Sequence, residues 1–180
     1  MDRQPLLEGE RLLLRPLHPD DWDALHAAAR DPLIWDQHPD PDRWREPIFR
    51  DFFADALEAG GALTIIEKRG GAVIGSSQFA NFKDGNGGAV EIGRTFLVRS
   101  HWGLGLNHEL KRLMVGHALG EVATVYFRVG AENLRSRRAM EKIGARLTDL
   151  REDVTVHGRP VPHVVYEIGR DDFARGPLSS

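Results

Sequence analysis

Between Ala89 and Leu119 the hydrophobic period of the chain changes from two to 3.6, and the change happens across Gly103-Leu104-Gly105. Ala89–Val98 alternates, with Val90, Ile92, Arg94, Phe96 and Val98 on one face and Glu91, Gly93, Thr95 and Leu97 on the other. Residues 106–119 read as a helix. A strand, two glycines and a helix in that order force a sharp turn, and they place the chain in the α/β class with this unit at its centre. The turn suits an anion, because free N–H groups and the positive end of the helix dipole converge there. It is equally a tight connection with no ligand.

The flanking segments fit one α/β domain of 180 residues. A first strand covers Arg11–Arg15, and His18-Pro19-Asp20-Asp21 opens a helix that runs to Arg30. A second helix lies within Asp42–Ala59, where Trp44, Ile48 and Phe52 recur every four residues. Strand-like runs follow at Ala62–Glu67 and Ala72–Phe82. After the central unit come a strand at Val122–Val129, a helix at Leu134–Ile143, and strands at about Arg146–Val156 and Val161–Ile168. The expected core spans about residues 8–170, and residues 171–180 are expected to fray.

Composition narrows the chemistry. With no cysteine, the chain has no disulfide, no zinc ribbon and no thiol-bound acyl intermediate. No apolar run approaches the ~18 residues of a membrane span, and Met1–Glu10 lacks the apolar core of a signal peptide, so a cytoplasmic protein without membrane contact is expected. The net charge of -3 hides a split, with 14 acidic and 7 basic residues before Gly61 and an excess of basic residues after it. An acidic front and a basic back suit a cationic and an anionic reactant, though charge also varies between the halves of any chain. The basic run Arg135–Arg138 has no interleaved aromatics, so nucleic acid is not expected as a partner.

Three familiar sites can be excluded by residue. A Walker loop needs Lys-Ser/Thr after its last glycine, where this chain has Leu106-Asn107. A dinucleotide fingerprint needs a third glycine at position 108, which is His108. His108 and His117 face opposite sides of one helix and the other histidines lack ligand spacing, so no metal is expected. A second informative stretch runs from Val129 to Ala145. Asn133 is placed to cap a helix whose first turns carry Arg135, Arg137 and Arg138. Such charge is unfavourable at a helix N-terminus unless an anion lies nearby or the side chains extend into water.

Taken together, Trp102-Gly103-Leu104-Gly105-Leu106-Asn107-His108-Glu109 and Asn133-Leu134-Arg135-Ser136 with Glu141-Lys142-Ile143-Gly144-Ala145 resemble the GNAT superfamily of N-acetyltransferases. The likeness is nearest to the branch that includes ribosomal-protein N-terminal acetyltransferases. It extends over about residues 8–170, including the Leu-Leu-Leu-Arg-Pro opening and the closing hairpin. Trp102, Asn107 and Ala145 depart from the usual residues, and Met140 stands where many members carry a tyrosine acid.

The resemblance implies a mixed, mostly antiparallel central sheet flanked by helices, and direct acetyl transfer from acetyl-CoA to an amine in a ternary complex. Glu91 is the implied base, acting through water, and Ser136 the implied partner of the departing thiolate, with Tyr166 or Tyr126 as a substitute. Backbone groups of Leu97 and Val98 are implied as oxyanion donors and partners of the pantetheine arm. Trp102, Gly103, Leu104, Gly105, Leu106 and Asn107 form the implied pyrophosphate loop, Asn133 meets the pantetheine amides, and Arg138 (Arg99 as an outsider) the phosphates. Trp35 and Asp36 are expected to face the acceptor, a small-molecule amine or a protein N-terminus. A homodimer is compatible with the family. A weakened acyl-CoA-binding or sensing module, or an interaction domain that kept only the fold, remain as alternatives.

Overall fold

The computed structural model describes all 180 residues. Eight strands form one sheet: β1 (Leu7–Glu8), β2 (Leu12–Pro16), β3 (Ala62–Glu67), β4 (Ala72–Lys83), β5 (Ala89–Leu97), β6 (Thr124–Gly130), β7 (Arg146–Val156) and β8 (Arg159–Gly169). Their order is β1-β2-β3-β4-β5-β6-β8-β7, and every neighbouring pair is antiparallel except β5 and β6. Five helices flank it: α1 (Trp22–Ala29), α2 (Glu46–Ala59), α3 (Leu106–Leu119), α4 (Leu134–Lys142) and α5 (Arg170–Arg175). The mixed α/β architecture expected from the sequence is the one observed.

Local chemistry explains the helix boundaries. Before α1, His18 caps a short 3-10 turn, accepting the Asp20 N–H on Nδ1 while the Asp21 carboxylate takes the His18 N–H. Asp21 also receives both Arg15 amino groups and the Thr64 hydroxyl, which ties β2, β3 and α1 together at one buried carboxylate. At α4, Asn133 Oδ1 accepts the Ser136 N–H at 3.1 Å, the cap expected for that residue.

The two faces of the sheet are covered unequally. Beneath α3 and α4 lies a cluster of 26 buried apolar residues drawn mainly from those helices, from β2 through β6 and from β8, including Leu14, Phe79, Ile92, Met114 and Val125. The opposite cluster, beneath α1 and α2, has 12 members and none from β6, β7 or β8. That half of the second face is therefore left open. At about 2 kcal/mol for each fully buried large side chain, the first cluster dominates the stability of the fold.

Two expectations about these elements are corrected. The alternation along β5 breaks at Arg94, whose φ is +51°. Ser76 pairs with Phe96 and Gln78 with Gly93, so Ser77 opposes both Arg94 and Thr95, a β-bulge. The bulge reverses the faces: Val90, Ile92 and Leu97 point to the α3 side, and Phe96 points to the α1–α2 side. Residues 171–180 do not fray. They continue through α5 into a 3-10 turn at Pro177–Ser179, anchored by Leu178, which is 1% exposed in the larger cluster, and by Phe173, which packs against it.

Candidate active site

The parallel ladder between β5 and β6 is short. It pairs Ala89, Val90 and Glu91 with Thr124, Val125 and Tyr126, and then the strands part. Beyond that point β5 keeps only β4 as a neighbour, and β6 keeps only β8. The result is a V-shaped gap with Glu91 and Tyr126 at its apex. The Val98 N–H bonds the Ile74 carbonyl of β4 at 2.8 Å. Edge alternation then turns the N–H and C=O of Leu97 toward the gap. In keeping with this, the Leu97 carbonyl accepts the Trp102 indole N–H at 2.9 Å. The expectation for Val98 is thereby corrected: its N–H is already spent, and Leu97 is the residue with a free edge.

Glu91 is 6% exposed and faces away from α3. Its Oε2 accepts from Asn81 Nδ2 at 2.6 Å and from Arg128 Nε at 3.0 Å, and Arg128 also forms a 2.9 Å ion pair with it. No protein atom bonds Oε1, yet that atom is not sealed, since the only buried and unpaired side-chain atoms are Arg43 Nε and Gln78 Oε1. A Cβ built on Gly93 would stand 3.1 Å from Oε1, so the glycine keeps that space clear. Tyr126 donates its hydroxyl hydrogen to the Asn81 carbonyl at 2.9 Å. Burial, helped by the charge of Glu91, pushes its pKa up to about 12. Tyr126 is therefore not placed to release a proton.

On the open face beside Glu91 lies a depression of about 340 Å³ lined by Asn81, Phe82, Lys83, Tyr126, Arg128 and Glu152. A second, of about 440 Å³, shares Glu152 and continues to Asp153 and His163. Segment 30–45 reaches the β7–β8 turn, where Asp40, itself buried, lies 2.9 Å from His157 Nε2.

At the mouth of the gap, Gly103 and Gly105 take φ values of +73° and +77°, which non-glycine residues seldom adopt. Backbone N–H groups from Gly103 to His108 donate to no protein atom. They stand at the start of α3 as a ready anion seat. Of the side chains in that run, Leu106 is buried and Leu104 is exposed, so any contact they make to an anion comes from backbone. Glu109, the last residue of the motif, has a different task. It accepts the backbone N–H groups of Arg11 and Leu12 and the Arg11 guanidinium, fastening β2 to α3.

The arginines of α4 sort themselves clearly. Arg135 pairs with Asp36 at 2.9 Å, bonds the Ile34 carbonyl, and lies over the Trp102 ring at 4.5 Å. Asp36 is thus the anion that offsets the basic first turn. Arg137 bonds the Tyr166 hydroxyl and the Ala131 carbonyl. Arg138 is exposed with no protein partner, and Arg99 is engaged by Asp31.

Several expected site residues lie elsewhere. Trp35 is 2% exposed, its indole N–H is taken by the Ala29 carbonyl, and its ring packs on Phe96 and Arg43, so it is core rather than acceptor wall. Asp36 remains at the surface but in an ion pair. Tyr166 pairs with Phe127 and faces the larger cluster, on the side of the sheet opposite Glu91. Ser136 is half-buried at the start of α4, with its N–H held by Asn133. Asn81, Gly93, Arg128 and Lys111 were missed. An Asn inside a strand run, and a Lys on the Val115–Ala118 stripe of a helix, were the available signals.

Comparisons agree with this geometry. No curated protein matches the chain. Among solved structures, a GCN5-related N-acetyltransferase from Brucella melitensis superposes with a TM-score of 0.77 at 20% identity, covering 94% of this chain and 80% of that one. Mycobacterium smegmatis RimJ, solved with CoA-disulfide, gives 0.69 at 17% identity over 93% and 86%. The Microcin C7 self immunity acetyltransferase MccE, in complex with acetyl-CoA and AMP, gives 0.72 at 14% over 89% and 93%. Residues 11–146 match the model of the acetyltransferase (GNAT) domain, and the chain belongs to that family.

Proposed function

We propose that this chain moves an acetyl group from acetyl-CoA directly to a primary amine, within a ternary complex assembled in the β5–β6 gap. The observation that carries this reading is the half-used carboxylate of Glu91 at the apex of the split, with one oxygen clasped and the other open. An amine acceptor arrives as an ammonium and must lose a proton before its nitrogen can attack. Glu91 Oε1 is suited to receive that proton through water. Arg128 and Asn81 hold the other oxygen and fix the direction of approach.

In this reading the free N–H groups from Gly103 to His108 receive the phosphates of acetyl-CoA, and the exposed, unpaired Arg138 of α4 is a further partner for them. The Leu97 edge bonds the carrier arm and offers its N–H to the developing oxyanion. Asn133 and Ser136 at the α4 start are the residues available from the other wall. Direct transfer agrees with the absence of cysteine, which rules out a thioester on the enzyme.

The acceptor enters over the open face of β6, β8 and β7. Glu152 and Asp153 line that approach and suit a cationic amine, either a small molecule or a protein N-terminus. Both acceptor classes, and a cytoplasmic setting, are part of this proposal. The test is CoA release from acetyl-CoA over a panel of small amines and N-terminal peptides, beside calorimetric titration with acetyl-CoA. Release with at least one amine is expected. Binding without release from any amine would instead identify an acyl-CoA sensor.

A further inference from the structure

Two charged side chains of α3 are buried, Glu109 at 5% and Lys111 at 2% exposure. Glu109 is matched by Arg11, but Lys111 has no carboxylate. Its Nζ donates to Thr95 Oγ1 at 2.9 Å and lies 5.6 Å from the centre of the Phe127 ring. Those two contacts locate it. Thr95 is on β5 and Phe127 on β6, both beyond the last rung that joins the strands. After the bulge at Arg94, Thr95 shares the α3 face with Leu97, so the amine lies across the floor of the gap.

The surroundings are uniform in charge. From β5 comes the Thr95 hydroxyl, itself 2.7 Å from Ser77 Oγ of β4; from β6 comes an aromatic ring. No acidic group faces Lys111 from α3, β4, β5 or β6. Thr95 satisfies one of its N–H groups and leaves donors over. An unpaired cation held out of water is costly, and a chain keeps one where it does chemistry more often than elsewhere. Burial alone pushes its pKa down to about 7, so both forms are populated near neutrality. Of the nearby groups on this side, Met140 is apolar, and the Tyr166 oxygen accepts the Arg137 Nε–H, which leaves the Tyr166 hydroxyl hydrogen as the rival proton source.

We propose that Lys111 is the proton donor to the departing thiolate, acting from the floor of the gap. This assignment rests on the acetyl transfer proposed above. The acceptor nitrogen bonds the thioester carbon, and the carbonyl electron pair moves to oxygen. When that pair returns, the C–S bond breaks and its electrons stay with sulfur. One proton passes from Lys111 Nζ to sulfur, giving the CoA thiol and a neutral lysine. The acceptor nitrogen sheds two protons on the Glu91 side, one as the ammonium before attack and one from the adduct; Lys111 regains one from solvent, so one proton is set free per turnover.

The test uses the full chain with lysine ε-carbons labelled for NMR. Lys111, assigned by its loss in Lys111→Met, is expected to titrate near pH 7 in the free protein. Binding CoA is expected to move that midpoint, and binding desulfo-CoA is not. In parallel, Lys111→Met is expected to bind acetyl-CoA within about threefold of wild type while kcat falls about a hundredfold. Lys111→Arg, which keeps the charge but holds its proton, is expected to stay equally slow. Equal midpoints with CoA and desulfo-CoA, or an unchanged kcat in both variants, would overturn the assignment. Should Lys111→Met not fold, Lys111→Arg supplies the assignment and the NMR comparison decides on the wild-type protein. If wild type itself releases no CoA from any amine, the transfer reading fails, whereas turnover with a silent Lys111 sinks only this step.

Discussion

Glu91 and Glu109 are buried to almost the same depth, and each is clasped by an arginine, yet they occupy opposite situations. Glu109 uses both oxygens inside the protein: Oε1 takes two backbone N–H groups and Oε2 the Arg11 guanidinium. Glu91 gathers every partner onto Oε2 and leaves Oε1 open. One carboxylate is a fastener between β2 and α3. The other is restrained on one side and available on the other. Burial and ion pairing alone do not separate the fastener from the acid proposed to work; the count of satisfied oxygens is where the two differ.

Substitutions should pull the two apart. The largest effect is expected for Glu109→Ala, which strands the Arg11 and Leu12 N–H groups and should lower stability by about 3 kcal/mol in urea titrations. Next, Glu91→Gln should cut kcat about a hundredfold while the calorimetric affinity for acetyl-CoA holds. A loss of affinity with kcat preserved would place Glu91 beside Glu109 as a fastener. Gly93→Ala should slow turnover about tenfold, because its Cβ would crowd the open oxygen at 3.1 Å and the loss of an aligned proton path costs about that much. The smallest effect is a difference in acid sensitivity. Burial opposes ionisation of Glu109, but the N–H groups of Arg11 and Leu12 and the Arg11 guanidinium outweigh it and hold its pKa below the ordinary 4.5. Its stabilising contribution is thus complete above pH 4.5 and lost as pH falls through the lowered value. Glu109→Gln should flatten the acid limb of stability measured from pH 6 to pH 3.

Local chemistry made α3 legible to the residue, since two glycines and an apolar stripe fix both its start and its facing. The Asn133 cap was equally plain. What escaped was set by pairing between distant strands. The bulge at Arg94 depends on how β4 aligns with β5, and it moves Phe96 and Leu97 to faces opposite those implied by simple alternation. Trp35 has the composition of a cleft residue, and only the packing of α1 and α2 puts it in the core. Asn81 and Arg128 become partners of Glu91 through β4 and β6, 10 and 37 residues away in the chain. Acid, arginine and glycine residues could be nominated from sequence; which oxygen each one occupies could not.

The three-rung ladder between β5 and β6 also bears on how the molecule holds itself together. It makes the sheet two leaves, one of β1 to β5 and one of β6 to β8, hinged at a single short seam. On the proposed reading, the carrier arm lies along the exposed edges of both leaves and serves as the missing seam. Acetyl-CoA would then be a part of the architecture that is replaced in every turnover. Each release of product would return the enzyme to its least braced state, and melting temperature should follow CoA concentration by simple mass action.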